Sequence, residues 1–176
     1  MKRLLFLTVV AFALGACGNK GNGNAEPSAM SEELATGVDG DDAYQPSQQF
    51  ADGDFSYPAA FSHEEVFVDD VPASVEVFAK DDVQLCYWPL LGVWSTLDVF
   101  PEEGVWLSPT ETVASVTSRD ESKGIASGTT QNGNVFYLKQ KIVSDAELNH
   151  SRVLVLINPP ALQDKVSALT NEVANW

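Results

Sequence analysis

Residues 126–176 carry the pattern that most constrains the fold of this chain. Two β-type runs, 126–130 and 135–142, flank Asn132-Gly133, a dipeptide that favours a hairpin turn because both residues tolerate positive φ. A third run, 152–157, is nearly all apolar, which predicts a strand at the centre of a sheet. After Pro159-Pro160, apolar side chains recur at spacings of four and three, as on one face of a helix: Leu162, Val166, Leu169, Val173 and Trp176.

Shorter β-type runs and one helix-capping signal lie upstream. The strand candidates are residues 55–58, 66–71, 73–79, 83–88 and 92–100. Ser108-Pro109-Thr110-Glu111 matches a capping box, and it predicts a short helix ending near Ser118 with Val113 and Val116 toward the core. We therefore predict an α+β fold: a layered, mostly antiparallel sheet covered by a C-terminal amphipathic helix and a shorter helix.

The amino terminus has the parts of a bacterial export signal. Lys2 and Arg3 precede an apolar stretch, residues 4–14, that is too short to cross a hydrocarbon core of about 30 Å. Small residues then lead to a cysteine, in the order Leu14-Gly15-Ala16-Cys17. This phrase resembles the lipobox of bacterial lipoproteins. The resemblance implies cleavage before Cys17, lipidation of Cys17 and attachment to the membrane through that lipid.

The same resemblance predicts the location and the division of the chain. Gly18 follows the cysteine where an Asp would retain an enteric lipoprotein in the inner membrane, so we expect the outer membrane with the domain facing the periplasm. Residues 17–50 are rich in Gly, Asn, Ser and acids and cannot bury enough apolar surface to offset their ordering entropy. We therefore predict a signal peptide at 1–16, a lipidated Cys17 with a flexible acidic tether at 17–50, and one globular domain at 51–176.

The charge of the chain argues against two kinds of partner, nucleic acids and anionic membrane headgroups. The net charge is −15, and the signal carries two positive charges, so its removal would leave −17. Nucleic-acid binding depends on Lys and Arg that neutralise phosphates, and adhesion to anionic headgroups has the same requirement. We expect no nucleic-acid partner and a preference for cations or basic proteins.

The remaining cysteine lies in an apolar, strand-like run. With Cys17 lipidated, Cys86 is the only other thiol, so an internal disulfide cannot form. A buried core cysteine is the favoured interpretation. A reactive thiol or a disulfide to another chain is the alternative.

No catalytic, metal or cofactor site is predicted. His63-Glu64-Glu65 lacks the second His that a zinc-protease helix carries four residues after the first, and His150 is the only other histidine. Asp39-Gly40-Asp41-Asp42 and Asp52-Gly53-Asp54 lack the alternating ligands and the final Glu of a calcium loop. We therefore expect that the protein is not an enzyme.

The domain resembles a known group of lipoprotein folds. Phe55-Ser56-Tyr57-Pro58 followed by Phe61, the strands at 135–142 and 153–157, and the helix at 160–176 are similar to the PsbP-like α/β/α sandwiches, which include lipoproteins of the DcrB type. That group usually has Trp where Phe61 stands, and the 85–106 stretch has no counterpart in it. The resemblance implies an accessory or binding role without a shared catalytic site.

Aromatic residues crowd into one segment of about twenty residues. They are Tyr87, Trp88, Trp94, Phe100 and Trp106. They either fill the core or form an exposed face, and Trp and Tyr dominate binding hot spots. We therefore predict a non-enzymatic binding or accessory module of the cell envelope that engages an unidentified envelope protein through Tyr87, Trp88, Trp94 and Trp106. The alternative is a carrier of a small hydrophobic or glycan ligand held between sheet and helices.

Overall fold

The computed structural model describes residues 41–67, 74–90, 101–144 and 149–176. The signal peptide, the lipobox, most of the predicted tether and the predicted strand at 92–100 lie outside these ranges. The strands and helix are β1 (Gln48–Phe50), β2 (Phe55–Tyr57), β3 (Ser62–Phe67), β4 (Ser74–Lys80), β5 (Val83–Leu90), β6 (Trp106–Ser108), β7 (Glu111–Asp120), β8 (Ile125–Thr130), β9 (Val135–Ser144), β10 (Asn149–Asn158) and α1 (Ser167–Asn175).

Mainly antiparallel sheet with one C-terminal helix is the architecture of the described residues. Strands β1 and β2 form a small hairpin, and the other eight strands form one sheet in the order β3-β4-β5-β10-β9-β8-β7-β6. Strand β10 lies between β5 and β9, and its Leu154, Val155, Leu156 and Ile157 are buried on both faces. The prediction of a central, nearly all-apolar strand at 152–157 is confirmed.

The hairpin predicted around Asn132-Gly133 joins β8 to β9. The Thr130 N–H donates to the Asn134 carbonyl at 2.9 Å, which closes a loop with Gly133 at φ 84°. Glycine adopts this left-handed conformation without steric cost, and the flanking strands keep their antiparallel register beyond the loop. The local turn signal therefore sets the pairing of two long strands.

The C-terminal helix carries the predicted apolar stripe. Val166, Leu169, Val173 and Trp176 are buried, and Leu162 packs against them from a 3-10 turn at Pro160–Leu162. The α-helix itself begins at Ser167, later than the spacing predicted. It packs on the sheet face formed by β9 and β10.

The prediction of a shorter helix from Ser108 is wrong. Ser108 ends β6, and its Oγ accepts the Thr110 N–H at 3.3 Å, so the side chain stabilises a turn instead of a helix N-terminus. β-Branched residues favour the strand that follows. Val113 lies on the core side together with Val116, because β-bulges interrupt the two-residue alternation along β7. Two core-facing residues three positions apart, a spacing typical of a helix, therefore occur here in a strand.

The main sheet buries side chains on both faces. The helix face carries α1 and the β1–β2 hairpin, and its buried side chains are Ala43, Tyr44, Phe55, Phe61, Phe78, Val83, Leu85, Tyr87, Leu154, Leu156, Val166, Leu169, Val173 and Trp176. The other face, here called the inner face, buries Val75, Val77, Cys86, Trp88, Leu107, Val113, Phe136, Leu138, Val155 and Ile157. Six of the 14 residues in the first set are aromatic, against two of the ten in the second, which is mainly aliphatic.

The sheet curls so that its inner face closes on itself. Strand β6 is five positions from β5 in the strand order, yet the Trp88 Nε1–H of β5 donates to the Leu107 carbonyl of β6 at 2.9 Å. Gln84 of β5 also donates to the Thr110 hydroxyl at 3.2 Å. These contacts across the curl give the half-barrel shape and seal the inner face.

The folded region begins before residue 51. Ala43 and Tyr44 are buried on the helix face, and Gln48–Phe50 pairs with Phe55–Tyr57 as β1. The last residues of the predicted tether therefore belong to the folded domain, because a few apolar side chains in a polar segment are enough to pack it against the sheet. Across the described ranges, no helix is long and apolar enough to cross a membrane.

Candidate functional site

Tyr87 and Trp88 do not form the exposed face that the sequence suggested. They are neighbours on β5, so their side chains point to opposite faces of the sheet. Tyr87 is 2% exposed on the helix face, and Trp88 is 5% exposed on the inner face. Both are core residues because β5 lies inside the sheet and both of its faces are covered, so neither side chain is exposed to a partner in this fold.

Of the members of this aromatic set that the structure describes, Trp106 lies at the surface. Its side chain is 51% exposed, and that of the preceding Val105 is 40% exposed. We call this pair the aromatic ridge. The ridge is held by backbone hydrogen bonds, since the Val113 N–H donates to the Val105 carbonyl at 2.9 Å and Trp106 pairs with Thr112. An exposed Trp on an ordered strand has little freedom to lose on binding.

Acidic side chains lie beside the aromatic ridge. Glu102 and Glu103 are exposed in the turn that leads into it, and the Gly104 N–H of this turn donates to the Val113 carbonyl at 2.8 Å. The Arg119 guanidinium donates to the Pro101 carbonyl at 3.4 Å and fixes the start of the same turn. The ridge therefore combines an apolar contact with local negative charge.

Cys86 lies fully buried on the inner face. Burial raises the pKa of its thiol far above the ordinary value of 9.0, and the charge of Glu111 raises it further. A thiol with a raised pKa is a poor nucleophile because the thiolate is the reactive form. The burial of Cys86 and the raised pKa of its thiol therefore favour a core residue over a reactive thiol.

Glu111, which the Ser108 capping box would place in a helix, is a buried carboxyl group of β7. It is 4% exposed at the start of β7, where its Oε1 accepts the Asn134 amide at 2.7 Å. Within the described residues its Oε2 has no hydrogen-bond partner. The carboxyl group thus lies toward Cys86 in the curl and is hydrogen-bonded on one side.

His63 makes structural contacts at the edge strand β3. Its Nε2 is 2.7 Å from Glu76 Oε2, and its ring stacks on Phe78 with centroids 4.3 Å apart. The other histidine, His150, lies at the start of β10, and its side chain is outside the described residues. The described part of the chain holds no group of three or more His, Cys, Asp or Glu residues arranged to hold a metal ion.

The Asp52-Gly53-Asp54 phrase forms the tip of the β1–β2 hairpin. The Tyr87 hydroxyl donates to the Asp52 carbonyl at 3.3 Å, and the Trp176 indole N–H donates to the Gly53 carbonyl at 2.6 Å. Asp54 has φ 55°, a left-handed conformation that a short polar side chain tolerates. The turn binds the C-terminal helix to the sheet through its backbone. Asp39-Gly40 lies outside the described residues.

The helix face also carries a cluster of cationic side chains that was not predicted from the sequence. Lys139 and Lys141 lie two apart on β9, and Arg152 of β10 is the register partner of Lys141. The alternation of Lys139 and Lys141 is visible in the sequence, but the position of Arg152 beside them depends on the register of β9 against β10. The other predicted residues, Cys17 and Trp94, lie outside the described residues.

Comparison with known proteins gives no relative from which a role could be carried over. No protein-family model matches the chain, and neither the curated proteins nor the solved structures contain a significant match. The resemblance to the PsbP-like group and the lipobox assignment therefore stay predictions.

Proposed function

We propose that this chain is a lipoprotein whose folded domain acts as a non-catalytic binding or accessory module of the cell envelope. Cys17 would carry the lipid, as the Leu14-Gly15-Ala16-Cys17 phrase suggests, and Gly18 favours the outer membrane with the domain facing the periplasm. Two or three acyl chains make such attachment stable, whereas a single chain binds reversibly.

The anchor has a direct test, because the chain contains one other cysteine as a matched control. Cys17→Ala and Cys86→Ala variants are expressed in a bacterial host with a clickable palmitate analogue, and the membranes are separated by density. We expect Cys17→Ala to lose both the label and the outer-membrane fraction, while Cys86→Ala keeps both. Equal labelling of the two variants would contradict the assignment.

The exposure of Trp106 is the single observation that carries the binding role. Trp is the residue type most enriched in binding hot spots, and burial of its exposed surface would supply the apolar part of an interface. Glu102 and Glu103 beside the aromatic ridge add an acidic rim, and the whole chain is strongly acidic. The partner that this chemistry fits is a protein segment that presents Lys or Arg beside an apolar side chain.

The binding role is tested by crosslinking in living cells. The full chain and its Trp106→Ala variant are crosslinked in the envelope, captured and identified by mass spectrometry. Ile142→Ala is the matched control, since Ile142 is also an exposed apolar side chain of the sheet. We expect a specific partner that Trp106→Ala loses and Ile142→Ala retains. Identical crosslinks in all three proteins would exclude the aromatic ridge as the contact.

The carrier alternative receives less support. It requires an apolar cavity between the sheet and the helix, and aromatic and aliphatic side chains of the helix-face cluster pack in that space. The ring of Phe78 occupies part of this space, and its centroid lies 4.4 Å from the ring centroid of Tyr57 and 5.4 Å from that of Phe55. We therefore place the carrier second.

A further inference from the structure

Three basic residues share one region of the helix face in a chain that is otherwise acidic. The chain has 10 Lys and Arg residues against 25 acids, and Lys139, Lys141 and Arg152 occupy neighbouring positions of two central strands. All three side chains are partly exposed. Such a concentration of positive charge is not required by the strand pairing.

Lys141 and Arg152 are direct cross-strand partners. Residues opposite each other in an antiparallel pair have Cβ atoms about 5 Å apart, and like charges at such positions are destabilising. Burial lowers the pKa of the Lys141 ammonium, the charge of Asp54 opposes this shift, and the charges of Lys139 and Arg152 add smaller lowering effects. The fold therefore holds two cations together at a cost.

The protein does not neutralise this pair through direct contacts in its described part. The salt bridges found there join His63 to Glu76, Lys80 to Asp81, and Lys123 to Asp120. Lys139 donates to the Ala174 carbonyl of α1 at 3.1 Å, and the Lys141 ammonium lies 4.2 Å from the centre of the Trp176 ring. Among the described residues, Arg152 is therefore part of none of these salt bridges, and Lys141 lies over an aromatic ring with the charge of Asp54 nearby.

We propose that Lys141 and Arg152 form a binding site for a phosphate-type oxyanion. A planar guanidinium can donate two parallel hydrogen bonds to two oxygens of one phosphate, and an ammonium supplies a compact point charge. The Trp176 ring bounds the site and holds Lys141 in place. Asp54 limits the positive field, which favours one compact anionic group over an extended polyanion. This site is on the helix face and is independent of the aromatic ridge.

The test measures binding of inorganic phosphate to the full chain. The Trp176 indole N–H signal in 1H–15N spectra reports on the site, and the melting temperature gives a second readout. We expect phosphate to shift this signal and to raise the melting temperature more than sodium chloride of equal ionic strength. Lys141→Gln and Arg152→Gln should each weaken binding about tenfold or more. Lys165→Gln, which removes an exposed cation, should leave binding unchanged.

A second measurement distinguishes a free phosphate from a lipid headgroup. The wild type and the Lys141→Gln/Arg152→Gln double variant are compared on vesicles of phosphatidylcholine with and without phosphatidylglycerol, so that contributions from the amino terminus cancel. Stronger binding of the wild type only when phosphatidylglycerol is present identifies a headgroup, and a phosphate effect without it identifies a soluble ligand. Equal behaviour of wild type and double variant with both probes overturns the proposal.

Discussion

The two faces of the main sheet bury different kinds of side chain. The helix face is packed with rings, and Phe50, Phe55 and Tyr87 make mutual aromatic contacts with centroids 5.4 to 6.0 Å apart. The inner face is mostly aliphatic but also encloses two polar groups, the Cys86 thiol and the Glu111 carboxyl. One face is closed by a separate hairpin and helix, and the other is closed by the curl of the sheet itself.

The difference shows that neighbouring residues of one strand can be buried in two different environments. Leu85 and Cys86 are adjacent on β5, and both are fully buried, but one packs under α1 and the other packs inside the curl. The helix face depends on shape matching among large rings. The inner face depends on a few side-chain hydrogen bonds that join strands distant in the sheet.

The largest effect should come from the helix face. Phe78→Ala removes a ring that stacks on His63 and contacts Tyr57, Phe50 and Phe55, and the cavity left behind cannot collapse easily. We expect a loss of about 3–5 kcal/mol in the free energy of unfolding, measured in urea. Phe67→Ala, at a side chain that is 76% exposed, should change it by less than about 0.5 kcal/mol.

Trp88→Phe tests whether a single bond helps close the curl. The variant loses the indole N–H that reaches the Leu107 carbonyl and leaves that buried acceptor without its donor. We expect a loss of about 1–3 kcal/mol. The neighbouring Tyr87→Phe removes only a long hydrogen bond of 3.3 Å on the helix face and should lose less. Equal losses in the two variants would mean that the curl does not depend on this contact.

The pH dependence of stability should reveal the buried thiol of the inner face. The pKa of Cys86 is raised in the folded state, so its contribution is complete below the ordinary value of 9.0 and declines as the pH rises above it. We expect the wild type to lose roughly 1 kcal/mol per pH unit above pH 9, relative to Cys86→Ala. Parallel curves for the two proteins would show that the folded state exposes or ionises the thiol.

The smallest effect on stability should come from the aromatic ridge, which belongs to neither core. Trp106→Ala removes a half-exposed side chain and should change the free energy of unfolding by about 0.5 kcal/mol or less. The same variant should lose the crosslinked partner. A large loss of stability would instead assign Trp106 to the packing of the sheet end, and the binding proposal would lose its basis.

The elements that could be predicted from the residues are those in which local chemistry and the hydrophobic pattern agree. The Asn132-Gly133 hairpin, the central strand and the apolar stripe of the C-terminal helix follow from glycine conformation, from burial on both faces and from helical spacing. The capping box at Ser108 failed because a Ser-Pro-Thr turn between two strands uses the same residues, and the β-bulges of β7 reproduce a helical spacing.

Which of these residues are exposed and available for function follows from the packing of the folded chain. The local sequence does not distinguish the aromatic residues Tyr87, Trp88 and Trp106. The first two are buried inside the sheet and the third is exposed at its end, because strand order and curl determine which side chains are covered. Glu111 is buried beside Asn134, which lies 23 residues further along the chain, and Lys141 lies opposite Arg152 because of the register of β9 against β10. A local turn signal can set the register of one hairpin, but the order of the strands and the curl that cover a side chain depend on the packing of the whole sheet.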